Sequence, residues 1–367
     1  MAPSAFYSSG FNAFGQLSPE SDKDLAEPRE VVTAQDGDNT KLLFAGWSET
    51  TFYQRCESKR SGSIVRLGST KITQEAPLPD LVTGFGDHNG LLGVLNRKGG
   101  VAFTEENQVE AHTATADSLS DEEAPGIAYL AVAGNGHVAV ILTSASSPRN
   151  SILEFTSFKK FREWFDDEVN DLHGPSFSHA VPGRVAQLVA NVTGFVCLTR
   201  DGNVYTWGDA RHSSLGRSVA ETEAKSPGLV ESLAGIQIKK IASDGWITAA
   251  LSEDGAVYLF GTGTPGTRHS LSCLAELNPM EAALVDIEGN EEPLDFLDVA
   301  VGDGHVLLLV QDGRVFAAGD NRNGQLGLGQ KASSYIKDWQ EVIISDQHRC
   351  LAVFAGPKAS FFQIAGS

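Results

Sequence analysis

The chain has 367 residues, 41% of them hydrophobic, and a formal net charge of −19 from 28 basic and 47 acidic side chains. Such a surface repels phosphate backbones, so broad nucleic-acid binding is disfavoured and a basic protein partner is the natural one. The four cysteines (Cys56, Cys197, Cys273, Cys350) form no C-x-x-C and suit a reducing compartment, while the lack of a basic-plus-apolar leader or an apolar run of ~18 residues points to the cytosol, the nucleus or both, with no membrane partner.

In chain order, the first phrase is "FYSSGFNAFGQL" (Phe6 to Leu17). A strand follows, "LLFAGWSETTFY" (Leu42 to Tyr53), in which two apolar runs flank a small turn. The same pattern returns as "LVTGFGDHNGLLGVL" (Leu81 to Leu95), "LAVAGNGHVAVIL" (Leu130 to Leu142), "QLVANVTGFVCL" (Gln187 to Leu198) and "IASDGWITAAL" (Ile241 to Leu251). It recurs as "VAVGDGHVLLLV" (Val299 to Val310) and "LAVFAGPKASFFQI" (Leu351 to Ile364). Most copies run on into a tight turn and a third strand, clearest in "DGNVYTWG" (Asp201 to Gly208), "DGAVYLFG" (Asp254 to Gly261) and "DGRVFAAG" (Asp312 to Gly319). Asp-Gly between β-rich runs is a strong hairpin signal, because the turn needs positive φ.

The phrase "VFAAGDNRNGQLGLG" (Val315 to Gly329) aligns without a gap on the N-terminal one: Gly319 on Gly10, Asn321 on Asn12, Gly324-Gln325-Leu326 on Gly15-Gln16-Leu17. Six complete units lie inside the chain. The seventh has its first two strands at Leu351 to Ile364 and its third at Phe6 to Gly10. The expected architecture is therefore all-β: one domain over residues 1–367, a seven-bladed β-propeller closed by pairing of the N- and C-terminal strands. Closure removes the open sheet edges of a linear array.

Three segments depart from the repeat, at about 104–126, 156–182 and 264–294. Glu105 to Pro125 is polar and acidic and reads as a mobile loop. Thr156 to Gly174 reads as one inserted helix. Phe158, Phe161, Phe165, Val169 and Leu172 form an apolar stripe, Ser157 is the N-cap and Gly174 follows the end. The stripe docks on its own propeller, the favoured reading, or on a partner. Thr264 to Leu294 reads as a long loop with one helical turn.

No enzyme chemistry is expected. "GTGTPG" (Gly261 to Gly266) spells G-x-G-x-x-G, but Gly261 is a repeat glycine and antiparallel hairpins surround it, whereas a dinucleotide site needs a βαβ unit. The nine histidines show no metal-ligand spacing, so neither a metal nor another cofactor is expected. Gly10, Gly68, Gly208, Gly261 and Gly319 end third strands at close turns. His137 and His305 share the context Gly-x-Gly-His in two repeats.

"VAVGDGHVLLLVQDGRVFAAGDNRNGQLGLG" (Val299 to Gly329) resembles a full repeat of the regulator-of-chromosome-condensation family. "LTRDGNVYTWGDARHSSLG" (Leu198 to Gly216) is the next-best match, with Ala210, Ser213 and Ser214 in place of the family's Asn, Gly and Gln. The size and layout resemble the tailless single-propeller kind, that of the fungal alpha-tubulin-suppressor or killer-toxin-insensitivity proteins. That resemblance implies a non-enzymatic partner of a small metal-binding diphthamide-biosynthesis protein. Such a partner supports Elongator-dependent tRNA wobble-uridine modification and diphthamide synthesis. The alternatives within the family are a guanine nucleotide exchange factor for a Ran-like small GTPase and a chromatin-associated adaptor of a histone-modifying enzyme. In exchange-factor relatives the strand-turn-strand turns face the GTPase. The matching positions here are Trp47, Asp87, His88, Asn135, Asp244, Trp246, Asp303 and His305, expected to form a partner-binding rim. A buried structural role is the competing expectation for the histidine of the Gly-x-Gly-His turns. The assembly expected is a monomer or a heterodimer.

Overall fold

The computed structural model describes residues 4–33, 38–56, 61–105, 108–111, 126–143, 151–166, 174–262, 269–275, 278, 280–289, 293–344 and 349–365. These residues form seven four-stranded antiparallel sheets. Blade 1 is composite: from the inside outward it runs Cys350–Gly356, Ala359–Ala365, Ser4–Gly10 and Leu25–Thr33. The inner strands of blades 2 to 7 are Asp38–Ala45, Leu81–Asp87, Ile127–Val132, Val185–Ala190, Ile238–Asp244 and Phe296–Gly302. Each inner strand touches the next, and Cys350–Gly356 touches both Phe296–Gly302 and Asp38–Ala45, so the ring is closed.

The closure is the one expected from the divided seventh repeat. Ser4–Gly10 pairs with Ala359–Ala365 without a register break, from Ser4 opposite Ala365 to Gly10 opposite Ala359. Phe6 and Phe361 are fully buried there and share a core with Phe52 of blade 2, its ring 5.3 Å from that of Phe6.

An apolar core fills each interface between neighbouring blades. This explains why several second strands do not alternate between apolar and polar residues. Gly194–Thr199, Ile247–Ser252 and His305–Val310 are buried at every residue, because each sheet is covered on both faces.

The fourth, outermost strands come from segments read as insertions or left unassigned: Gln108–Ala111 in blade 3, Phe177–Ala180 in blade 4 and Ala283–Leu284 in blade 6. Residues 106–107 and 112–125 of the acidic segment lie outside the described residues, as do 263–266 of the G-x-G-x-x-G stretch. The expected helical turn in the third segment is a single 3-10 turn, Ser272–Leu274.

The inserted helix spans Phe158–Asp166. Ser157 caps it, its Oγ accepting the Lys160 N–H at 3.2 Å. Phe161 is fully buried, its ring 5.7 Å from Phe155 and 6.2 Å from Phe103, and Arg162 lies 3.8 Å over the Phe103 ring. The stripe thus docks on its own propeller, over the core between blades 3 and 4. Val169 and Leu172 lie outside the described residues.

Candidate protein-docking face

Because the blades are antiparallel, all seven turns between first and second strands open on one face. The loops from third to fourth strands open there too. The two copies of the repeated phrase occupy such loops. In one, the buried Asn12 side chain accepts the Leu17 and Ser18 N–H groups at 2.8 and 3.0 Å and donates to Ser21 O at 2.7 Å. In the other, Asn321 accepts the Leu326 N–H at 3.1 Å and donates to Ser333 O at 3.0 Å. The phrase is a scaffold for the face. Gly261 serves the same end: at φ +100° a Cβ would stand 1.9 Å from Trp246 O, so only glycine lets the third strand reach the hairpin.

The turns interlock around the mouth of the ring. Gly134 N–H donates to Asn191 O at 3.0 Å, Val192 N–H to Gly245 O at 3.2 Å, and Asp303 N–H to Pro357 O at 3.2 Å. Gly245 packs so closely on blade 7 that a Cβ there would lie 2.8 Å from Asp303 Oδ1. The two carboxylates Asp244 and Asp303 are therefore brought together. Burial pushes the Asp244 carboxyl up to about 7; the nearby Asp303 charge adds to the rise, and the Gly245 N–H donated at 2.6 Å opposes it.

A residue not foreseen in the sequence completes this group. Lys358, buried in the turn of blade 1, places Nζ 2.9 Å from Asp303 Oδ2 and 3.1 Å from Asp320 Oδ2. Burial alone would raise the Asp320 carboxyl. The Arg322 fork, at 2.7 and 2.9 Å, and Lys358 instead hold it down to about 2.

The other expected rim residues divide as follows. Trp47 is 42% exposed and meets Phe11 at 5.4 Å; Phe11 in turn meets the exposed Phe14 at 6.0 Å. Trp246 is half-buried and takes the His212 ring edge-on at 4.7 Å. His88 and Asn135 are exposed, and Asp87 and Asn135 brace their own turns by accepting the Asn89 and His137 N–H groups at 2.7 and 3.1 Å.

His305 does not belong to the rim. It is fully buried, with Nε2 3.2 Å from Ser360 Oγ across the interface of blades 7 and 1. It packs on Gly302, where a Cβ would lie 2.1 Å from its Cε1. Burial first, and then the Lys358 charge, push its imidazole down to about 4. The competing structural expectation is the one that holds for it.

His137, in the same sequence context, is half-buried and donates from Nδ1 to Glu154 at 2.8 Å. Glu154 also accepts His179 Nε2 at 2.9 Å and Trp207 Nε1 at 3.0 Å. Burial alone would raise its carboxyl, and these three donors hold it below the ordinary carboxylate range. This cluster, too, escaped the sequence.

Among the described residues no three His, Cys, Asp or Glu side chains are placed to hold a metal ion, and no helix is long and apolar enough to cross a membrane. Burial pushes the Cys197 thiol up to about 12, so it is a closed core group and no nucleophile.

The family profile described as "Regulator of chromosome condensation (RCC1) repeat" matches residues 201–251 and 312–362, and a second profile of that description matches 296–325. These are RCC1 repeats. The chain is 34% identical over 145 residues to the regulator of chromosome condensation of Xenopus laevis, covering 39% of this chain and 32% of that one. It is 27% identical over 206 residues to RCC1 domain-containing protein 1 of Mus musculus, covering 47% of this chain and 54% of the relative. The chain thus spans about half or less of the length of these relatives. The Prp20p structure from Saccharomyces cerevisiae superimposes with a TM-score of 0.67 at 14% identity, over 100% of this chain and 92% of that one. At that identity the likeness is one of RCC1-type propeller fold.

Proposed function

We propose that this RCC1-repeat propeller is a non-enzymatic docking protein whose front face receives a basic protein partner. The observation that carries the reading is the mouth of the ring. There Asp244 and Asp303 stand side by side on an interlocked frame, on a chain of net charge −19. Trp246 shares the turn of Asp244, and Trp47 stands on the same face in blade 2. Exposed aromatics anchor interfaces, and clustered carboxylates steer a basic partner and select its register. The docking set is Trp47, Asp87, His88, Asn135, Asp244, Trp246 and Asp303. Affinity purification of the tagged chain from its own cells tests it, with Trp47→Ala and Asp244→Asn as controls. A stoichiometric partner that both variants lose supports the reading; a partner held equally by all three removes it.

The layout of a single propeller favours, as that partner, a small metal-binding diphthamide-biosynthesis protein in Elongator-dependent tRNA modification. Recovery of neither a small zinc protein nor an Elongator subunit would end that assignment. A second reading is a nucleotide exchange factor for a Ran-like GTPase. Similarity to the Xenopus regulator favours it, as does the Prp20p structure, described with its binding properties to Gsp1p and histones. Stimulated GDP release from a GTPase panel supports the second reading, and a flat response removes it. The cytosol and nucleus are the compartments proposed.

A further inference from the structure

Blades 4 and 5 leave a cleft of about 690 Å³ between them on the front face, away from the acidic mouth. Phe177, 43% exposed, stands at its lip, and Phe195 and Trp207, 2% and 1% exposed, lie buried behind the lining. The Phe177 ring stacks on His179 at 6.1 Å and 17°, and Trp207 packs on Phe195 at 5.3 Å. Phe177 is thus the aromatic ring offered to the cleft, with buried rings behind the lining.

Its polar floor is equally fixed. Glu154 is 6% exposed and takes three N–H groups, from His137, His179 and Trp207. An ionised carboxylate only accepts, so His137 must carry its proton on Nδ1. In its neutral form the imidazole then presents a lone pair at Nε2. That atom has no protein partner among the described residues, and the side chain is 31% exposed in the cleft. The buried Glu154 sets the tautomer, and His137 offers the cleft one hydrogen-bond acceptor.

At the rim Arg211 is turned back on Asp209, with Nε 2.8 Å from Oδ2, which leaves Lys225 as an exposed cation. A phosphate would find one free cation there, where phosphate-reading sites use clusters of arginines. A neutral ring with one hydroxyl donor fits better: the ring against the exposed Phe177, the O–H on His137 Nε2.

We propose that this cleft is a binding site for a phenolic side chain, a tyrosine on an extended segment of a partner protein. The proposal rests on the reading of the front face as a docking surface and gives it a second, neutral contact point.

The test uses the full chain labelled with 15N, following the Trp207 indole N–H, with p-cresol, toluene, phenyl phosphate and a capped Gly-Ser-Tyr-Ser-Gly peptide as probes. The expected result is a saturable shift with p-cresol and at least fivefold weaker binding of toluene. The peptide should bind no more weakly than p-cresol. His137→Phe should bring p-cresol down to the affinity of toluene. Phe177→Ser, at the exposed lip, should weaken both, and it guards against a folding defect in the first variant. No saturation with p-cresol, equal binding of p-cresol and toluene, or tighter binding of phenyl phosphate would overturn the phenolic site. A peptide weaker than p-cresol would overturn the tyrosine source. These probes need no partner, so their failure leaves docking at the acidic mouth to its own test.

Discussion

Lys358 of blade 1 holds its ammonium 3.1 Å from the Asp320 carboxylate of blade 7, across the interface of those two blades. Both side chains are buried, and Asp303 Oδ2 takes the same ammonium at 2.9 Å. Removing one member of a buried ionic group leaves an uncompensated charge. Lys358→Met should therefore destabilise the fold by about 2–4 kcal/mol, with Arg322 still on Asp320 limiting the loss. A fall of less than about 0.5 kcal/mol in denaturant unfolding would contradict the role given to this group.

Asp320 also predicts an acid limit. Its folded carboxyl, near 2, lies below its ordinary 3.8. A depressed carboxyl stabilises the fold above the unfolded value, and that stability is lost as pH falls from about 4 towards 2. Asp320→Asn should be less stable than the wild type at pH 7, and the gap should narrow below pH 4.

His305 and Asp244 act in opposite senses at milder pH. His305 is lowered from 6.5 to about 4, so its contribution is complete above 6.5 and is lost as pH falls through about 4. Asp244 is raised from 3.8 to about 7, so its contribution is complete below 3.8 and is lost as pH rises through about 7. Asp244→Asn should raise Tm at pH 8, by roughly 2–4 °C, and change little at pH 4. His305→Gln should flatten the decline in Tm between pH 6.5 and 4. Thermal melts across pH 4 to 8 separate the two, and a pH-independent effect of either variant would contradict its assignment.

The architecture was legible because the physics that makes a blade is local. An apolar strand, a glycine turn, a second apolar strand and an Asp-Gly hairpin are each written in consecutive residues. The split seventh repeat was legible because "NAFGQL" and "NRNGQL" carry the same asparagine and glutamine. The outer strands were not. Gly228–Leu229 and Ala283–Leu284 are two residues long, and Ile72–Glu75 buries no residue fully. They exist through backbone pairing to a third strand rather than through a pattern of their own. The site was half legible for a related reason. Repeat alignment placed Asp244, Asp303 and Trp47 on one face. It also equated His137 with His305, whose exposure depends on neighbours far along the chain: Glu154 for one, Ser360 for the other. Lys358 and Asp320 meet only because consecutive blades 7 and 1 pack face to face.

Closure itself can be cut. Deleting Met1 to Leu17 removes the third strand of blade 1, together with the buried Phe6 and Leu17. Ala359–Ala365 would then present an unpaired edge. The deletion should lower Tm by more than about 10 °C and favour association at high concentration. An unchanged Tm would contradict the clasp.

On the docking face, Trp47 should behave as an anchor. Its ring is held by Phe11 yet remains exposed, so Trp47→Ala should leave Tm within about 2 °C. It should weaken the partner by about 2 kcal/mol, some 30-fold in Kd. A loss of affinity that tracks a loss of stability would point to a structural role instead.

The most direct test is quantitative capture from the native cells with three baits: the wild type, Trp47→Ala and Asp244→Asn. A docking propeller predicts a stoichiometric protein partner on the wild type that is depleted on both variants, whose folds remain intact by thermal melt. A partner retained equally by all three, or none on the wild type, would contradict it.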